Sequence, residues 1–274
     1  MGRLALVLAI TAALAACEPA PTPFPADLPA LPPENPPTEG APARSEVRYA
    51  LGASAAALAN EPPFQSRSVD VLEGTPDPAL LGERYDIAAD FGLFAGAAAA
   101  PLAAHVSLVM NTALTPLDAV SVAEVVRSAA MPTGALDTVP GAQSLATPAA
   151  SLAALRTQLA NAGWPDGFNV AAAAPPVPGA GPLLAALSAV GIEIRPALPV
   201  FISAETWQEN RLHLGLIVWY TAETREQWAA LAGADNVVDL YTLPVGYIAA
   251  PDLELVFTPE GWPLPAAWQQ LPEN

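Results

Sequence analysis

The sequence is poor in the residues that most chemistry needs. It has one cysteine, two histidines and ten basic residues against 27 acidic ones in 274 positions. A single cysteine can form no internal disulfide. His105 and His213 each sit in an apolar, strand-like run, where a structural histidine is the simpler expectation. No His/Cys/carboxylate group has metal-ligand spacing. There is no Gly-x-Ser-x-Gly elbow and no glycine-rich phosphate cradle ahead of a helix. Asp86 and Asp90 stand four apart on an expected strand, which does not make a catalytic pair. The expectation is a protein that is not an enzyme and has no cofactor and no metal. The shortage of positive charge also argues against nucleic acid, whose phosphates need a basic surface.

Long apolar runs are short too, and the one at the start is informative. Arg3 gives a positive first region, Leu4 to Ala13 an apolar one, and Leu14-Ala15-Ala16-Cys17 matches the bacterial lipobox. That order of charge, apolar stretch and small residues is a secretory signal. The run of about 13 residues is too short for a spanning helix, which needs roughly 20. Residues 1–16 are therefore expected to be a removable lipoprotein signal peptide. Cys17 is expected to carry a thioether-linked diacylglyceryl group that ties the chain to a membrane, outside the cytoplasm. Removing residues 1–16 takes Arg3 and no acid, leaving nine basic and 27 acidic side chains and a net charge of −18. A body this acidic stays in solution and is kept off anionic lipid, so the acyl group does the tethering.

Proline is abundant where structure is least expected. Ten of the 32 prolines fall between Glu18 and Ala43. Proline fixes φ and removes a backbone donor, so residues 17–44, behind the lipidated cysteine, read as an extended, semi-rigid stalk.

From residue 45 onward short apolar strands alternate with helical stretches. Strands are expected at Val47–Leu51, Val69–Leu72, Tyr85–Phe91, His105–Met110, Phe168–Ala172, Ile192–Arg195, Leu212–Tyr220, Val237–Tyr241 and Gly246–Ala249. Helical segments are expected at Ser54–Asn60, Pro78–Glu83, Val120–Ala130, Ser151–Ala162, Pro182–Val190 and Glu223–Ala232. The alternation predicts an α/β fold with mostly parallel sheets flanked by helices. The natural division is into two lobes: residues 45–109 with 242–274, and residues 110–241.

Several stretches then resemble one family. They are Met110-Asn111-Thr112; Pro116-Leu117-Asp118-Ala119-Val120 with a helix bearing Arg127; Leu159 to Phe168, which ends in Gly163-Trp164-Pro165-Asp166-Gly167-Phe168; Leu187 to Ile194; and the strand that ends at Trp219. In this order they resemble the bacterial extracellular solute-binding proteins of family 5, which serve peptide and nickel ABC importers. Asp118-Ala119 stands where that family has Asp-Asp, and the chain is about half the usual length, as for a shortened, divergent member. The resemblance implies a type II periplasmic-binding-protein-like fold of two lobes. It also implies a small-molecule or peptide ligand held between them and an ABC permease as partner.

In such a fold ligands sit at the carboxyl ends of strands between the lobes. That selects Asp90, Asn111, Thr112, Trp219, Tyr220, Tyr241 and Tyr247 as candidate ligand contacts. Each has a plainer alternative: Asp90 as a cap, Asn111 and Thr112 as backbone-bonding residues, and the aromatics as core. A surface lipoprotein that keeps the fold as a structural or protein-interaction module is the alternative function. Its gap would be filled by its own side chains, with the alanine-rich segments at 95–104 and 171–181 as the candidates.

Overall fold

A computed structural model describes residues 46–60, 64, 67–130, 134, 136–146, 150–197, 202–203, 207, 209, 212–259 and 261–270. Cys17 and the stalk lie outside them. Residues 44–274 form one compact unit. No helix among the described residues is long and apolar enough to cross a membrane.

The protein is α/β, built on a mixed sheet of nine strands among the described residues. The strands are β1 (Tyr49–Leu51), β2 (Val69–Val71), β3 (Ile87–Phe91), β4 (Ala98–Met110), β5 (Gln143–Ser144), β6 (Phe168–Ala173), β7 (Ile192–Pro196), β8 (Leu214–Trp219) and β9 (Val237–Ala249). They lie in the order β2-β1-β3-β9-β4-β8-β6-β7, with β5 beside β9. At one end β2, β1 and β3 are parallel. At the other β7, β6 and β8 are parallel. The expected parallel groups are therefore present at the two ends. Between them β4 and β9, 13 residues each, run antiparallel to one another and to their outer neighbours. β9 pairs with β3 along Val245–Ala249, and β4 pairs with β8 along His105–Met110. The two long strands thus pass from one end group to the other, and the sheet is continuous through this crossing.

Among the described residues the longer α-helices are α1 (Val120–Ala129), α2 (Leu152–Asn161), α3 (Ala180–Val190) and α4 (Ala222–Ala232). Alternation along β4 assigns the faces, since successive side chains point to opposite sides. Val106, Leu108 and Met110 join the main core with Val122, Val126, Leu155, Leu159, Leu183 and Leu187 of α1, α2 and α3. Val109 joins a second cluster with Trp207, Ile217, Trp219 and Trp228 of α4. Helix ends follow ordinary capping. The Ser151 and Thr221 hydroxyls accept from Ala154 and Thr224 amides at 3.3 Å, and Gly191 closes α3 at φ 109°, a left-handed conformation glycine adopts without penalty. A hairpin of β10 (Leu255–Phe257) and β11 (Pro263–Pro265) packs on the first end group, where Tyr49 Oη donates to the Pro263 carbonyl at 2.8 Å.

Two differences from the sequence-based strands stand out. β4 begins at Ala98 and not near His105, and β9 runs without a break through Thr242–Val245. Alanine carries little strand preference and Pro101 argues against a strand, so residues 98–104 give no strand signal of their own. Pro244 argues for a break because it cannot donate to a ladder. It is tolerated at an irregularity: the β4–β9 register shifts between Ala99 and Ala103, and Pro244 faces Ala103.

Candidate functional site

The crossing is where the carboxyl ends of β3 and β8 approach each other. Phe91 ends β3 and Tyr220 follows β8. Their rings stack at 6.2 Å, and Tyr220 meets Trp262 edge-on at 5.1 Å. A segment after β6, residues 174–179, lies against the same region. Its Pro178 carbonyl accepts from Tyr241 Oη at 2.8 Å. Gly179 stands at φ 91°, and a Cβ there would come within 2.9 Å of the Tyr241 ring. Glycine is needed both for the backbone and for the space. A Cβ on Gly92 would meet Pro178 at 3.6 Å, so the loop after β3 and the loop after β6 are neighbours.

The candidate residues fall into distinct environments. Asp90 is 4% exposed. Its Oδ1 accepts from Ser54 Oγ, from the Ala55 amide at 3.1 Å and from its neighbour's amide, Phe91, at 2.9 Å. It thereby caps the 3-10 helix Ala53–Asn60, the capping alternative read from the sequence. A Cβ on Gly52 would collide with the Asp90 carboxyl at 2.1 Å. Burial raises the Asp90 pKa above the usual carboxylate range, against the pull of these hydrogen bonds in the other direction.

Tyr241 is buried, its hydroxyl committed to Pro178, and burial pushes its phenol pKa up. Tyr247 is half-buried and packs edge-on against Phe257 at 5.7 Å. Trp219 is buried; its Nε1 donates to Ser107 Oγ at 2.8 Å and its indole stacks on His105. Asn111 and Thr112 follow the far end of β4. Asn111 Oδ1 accepts from the Ala113 amide at 3.2 Å, and Thr112 Oγ1 accepts from Asn236 Nδ2 at 2.9 Å. At about 3.4 Å per residue, Met110, the last residue of β4 before them, lies about 17 Å along the strand from His105. The structure therefore brings Tyr220 and Tyr241 to the crossing and leaves Asn111 and Thr112 at the opposite end of the second group.

Those two residues border a different feature. An open pocket of about 740 Å³ is lined by Thr112, Leu117, Asp118, Glu124, Arg127 and Asn236, among others. A smaller one of about 360 Å³ sits beside β2, bordered by Glu73, Asp77, Arg84 and Tyr85. Among the described residues no group of three His, Cys, Asp or Glu side chains is placed to hold a metal ion. His213 is satisfied structurally: Nδ1 accepts from the Ala171 amide at 3.3 Å and Nε2 lies 3.2 Å from the Thr115 carbonyl. Sequence reasoning passed over Phe91, Pro178 and Trp262. Only Trp262 carried a signal, as an aromatic inside a Gly-Trp-Pro turn.

No protein-family model and no curated protein match the chain. Among solved structures it is similar to NikA from Brucella suis in complex with Fe(III)-EDTA, at 11% identity and a TM-score of 0.47, over 73% of this chain and 62% of that one. The Escherichia coli murein tripeptide binding protein MppA matches at 12% identity and a TM-score of 0.46, over 68% of this chain and 54% of that one. The dipeptide binding protein from Pseudoalteromonas sp. SM9913, in complex with Met-Leu, matches at 13% and 0.43, over 70% and 52%. The chain thus spans between about half and three-fifths of the length of these proteins.

Proposed function

We propose that this chain is a lipid-anchored, extracytoplasmic solute-binding protein of the ABC-import class. On this reading residues 45–109 with 242–274 form one lobe and residues 110–241 the other. A small, peptide-like solute is held between them and passed to a permease. The observation that carries the reading is the crossing: two antiparallel 13-residue strands, β4 and β9, link two groups of parallel strands. A pair of long strands is a natural hinge, because small changes in twist along it swing the end groups apart. The order of sequence motifs between Met110 and Trp219 supports the same reading.

The observed contacts then belong to a closed arrangement. Admission of a solute requires Phe91 to part from Tyr220 and the 174–179 segment to leave Tyr241. A thermal-shift screen of dipeptides, tripeptides and sugars tests this directly. A solute that binds the folded state, present at about 100 times its Kd, adds about 2.7 kcal/mol. For a chain of this size that raises the melting temperature by about 5–10 °C. Phe91→Ala, which opens the crossing, is expected to change the response to that solute. No shift across the panel would count against the reading.

One observation favours a second reading. The same contacts, Phe91 with Tyr220 and Trp262, and Tyr241 with Pro178, fill the crossing with the chain's own groups. A structural or protein-interaction module would look like this. It predicts no solute response and no change on replacing Phe91 beyond lost stability.

A further inference from the structure

His105 stands on β4 where the strand is flanked on both sides, opposite Thr242 of β9 and Trp219 of β8. Its ring lies flat on the Trp219 indole, with centroids 4.1 Å apart and planes 15° from parallel. Its Nδ1 is buried and has no hydrogen-bond partner, an uncommon condition for a buried polar atom. Beside it runs a chain of polar contacts. Trp219 Nε1 donates to Ser107 Oγ, and Ser107 Oγ donates to Asp239 Oδ1 at 2.8 Å. Arg225 Nε, in the first turn of α4, donates to both Asp239 oxygens at 3.1 and 2.8 Å. That ion pair ties the start of α4 to β9.

A register shift between Val106 and Ser107 places Asp239 opposite Ser107. Ser107 lies two residues from His105 and so on the same face of the sheet. The charged groups facing His105 are therefore Asp239 from β9 and, through it, Arg225 from α4. β8 offers the neutral Trp219.

We propose that His105 and the Asp239–Arg225 pair form an acid-operated latch on α4. When His105 takes a proton, the imidazolium draws the Asp239 carboxylate toward itself and weakens its hold on Arg225, so α4 loosens from the sheet. Burial lowers the His105 pKa from its ordinary 6.5, with Asp239 pulling in the opposite direction. The ring is thus neutral at pH 7 and charges on the acid side. The stability it contributes is fully present above the unfolded value and is lost as pH falls through the folded one. The inference is independent of what the crossing binds.

Hydrogen exchange of the full chain, corrected for intrinsic rates, tests it at about pH 7 and pH 5, a range that brackets histidine titration. Protection of residues 222–232 is expected to fall about tenfold more than that of the rest of the sheet. His105→Phe keeps a ring on Trp219 and is expected to abolish the pH dependence. Asp239→Asn is expected to give low protection at both pH values. Equal protection of α4 at both pH values, or a pH response retained in His105→Phe, would overturn the latch. Should His105→Phe not fold, an NMR titration of His105 decides: its pKa falls in Asp239→Asn if the carboxylate faces it, and an unchanged value contradicts the proposal.

Discussion

The Cys17→Ser chain is expected to leave the membrane fraction and appear in the soluble extracytoplasmic fraction, with its fold intact. The thiol is the only nucleophile in the lipobox that can form the thioether, and it is the only cysteine in the chain. Each buried methylene of an acyl chain contributes about 0.8 kcal/mol of membrane affinity, and more than one chain makes release negligible. The acidic body, at a net charge of −17 for the whole sequence, gains nothing from an anionic surface. No second attachment then compensates for loss of the first. Fractionation followed by intact mass measurement checks this. The wild-type chain should carry the added mass of the lipid on Cys17, and the serine variant should not. A serine variant that pellets with the membrane would remove the anchor from the account.

Asp90→Ala is expected to be the most damaging single change in the first end group, costing about 3 kcal/mol. One carboxylate oxygen serves the Ser54 hydroxyl and the Ala55 and Phe91 amides. Truncation leaves each of these without its partner in a buried place, at about 1 kcal/mol or more apiece. The effect should depend on pH in a particular direction. Burial holds the Asp90 pKa above its unfolded value, so the folded state binds the proton more tightly. The advantage of the wild type over Asp90→Ala therefore grows as pH falls through the folded pKa. Urea unfolding of both proteins at a series of pH values reads the difference. A gap that shrinks on acidification would show that the carboxylate is not held as described.

Most of the longer elements were legible in the sequence because each carries its own local signal, whereas the short strands β5, β10 and β11 were not expected. The leucines of α2 recur at helical spacing, Ser151 and Gly191 sit where caps are needed, and the apolar run ending in Trp219 is a strand buried on both faces. The crossing was not legible, and that is the part on which function turns. Residues 98–104 are mostly alanine, which shows no period, and Pro101 within them signals a break. Pro244 signals a break that tertiary pairing overrides. Once β4 and β9 are recognised as single long strands, the candidate site changes shape. Asn111 and Thr112 end a strand as expected, but at the wrong end for a shared site with Tyr220 and Tyr241. Asp90 was placed correctly at the end of β3, and its capping role rests on Ser54 and Ala55, 35 and more positions away in sequence. No local pattern could announce that pairing. The contact of Tyr241 with Pro178 spans 63 positions and was invisible for the same reason.

A solute can enter only where the crossing parts. Native mass spectrometry of the chain released from membranes of its own cells tests that most directly. The reading predicts a population heavier than the lipidated, solute-free chain by a few hundred daltons, lost on gentle activation and diminished in Phe91→Ala. A single solute-free mass, from cells and after incubation with every solute of the screen, would contradict it and leave the self-filled module in its place.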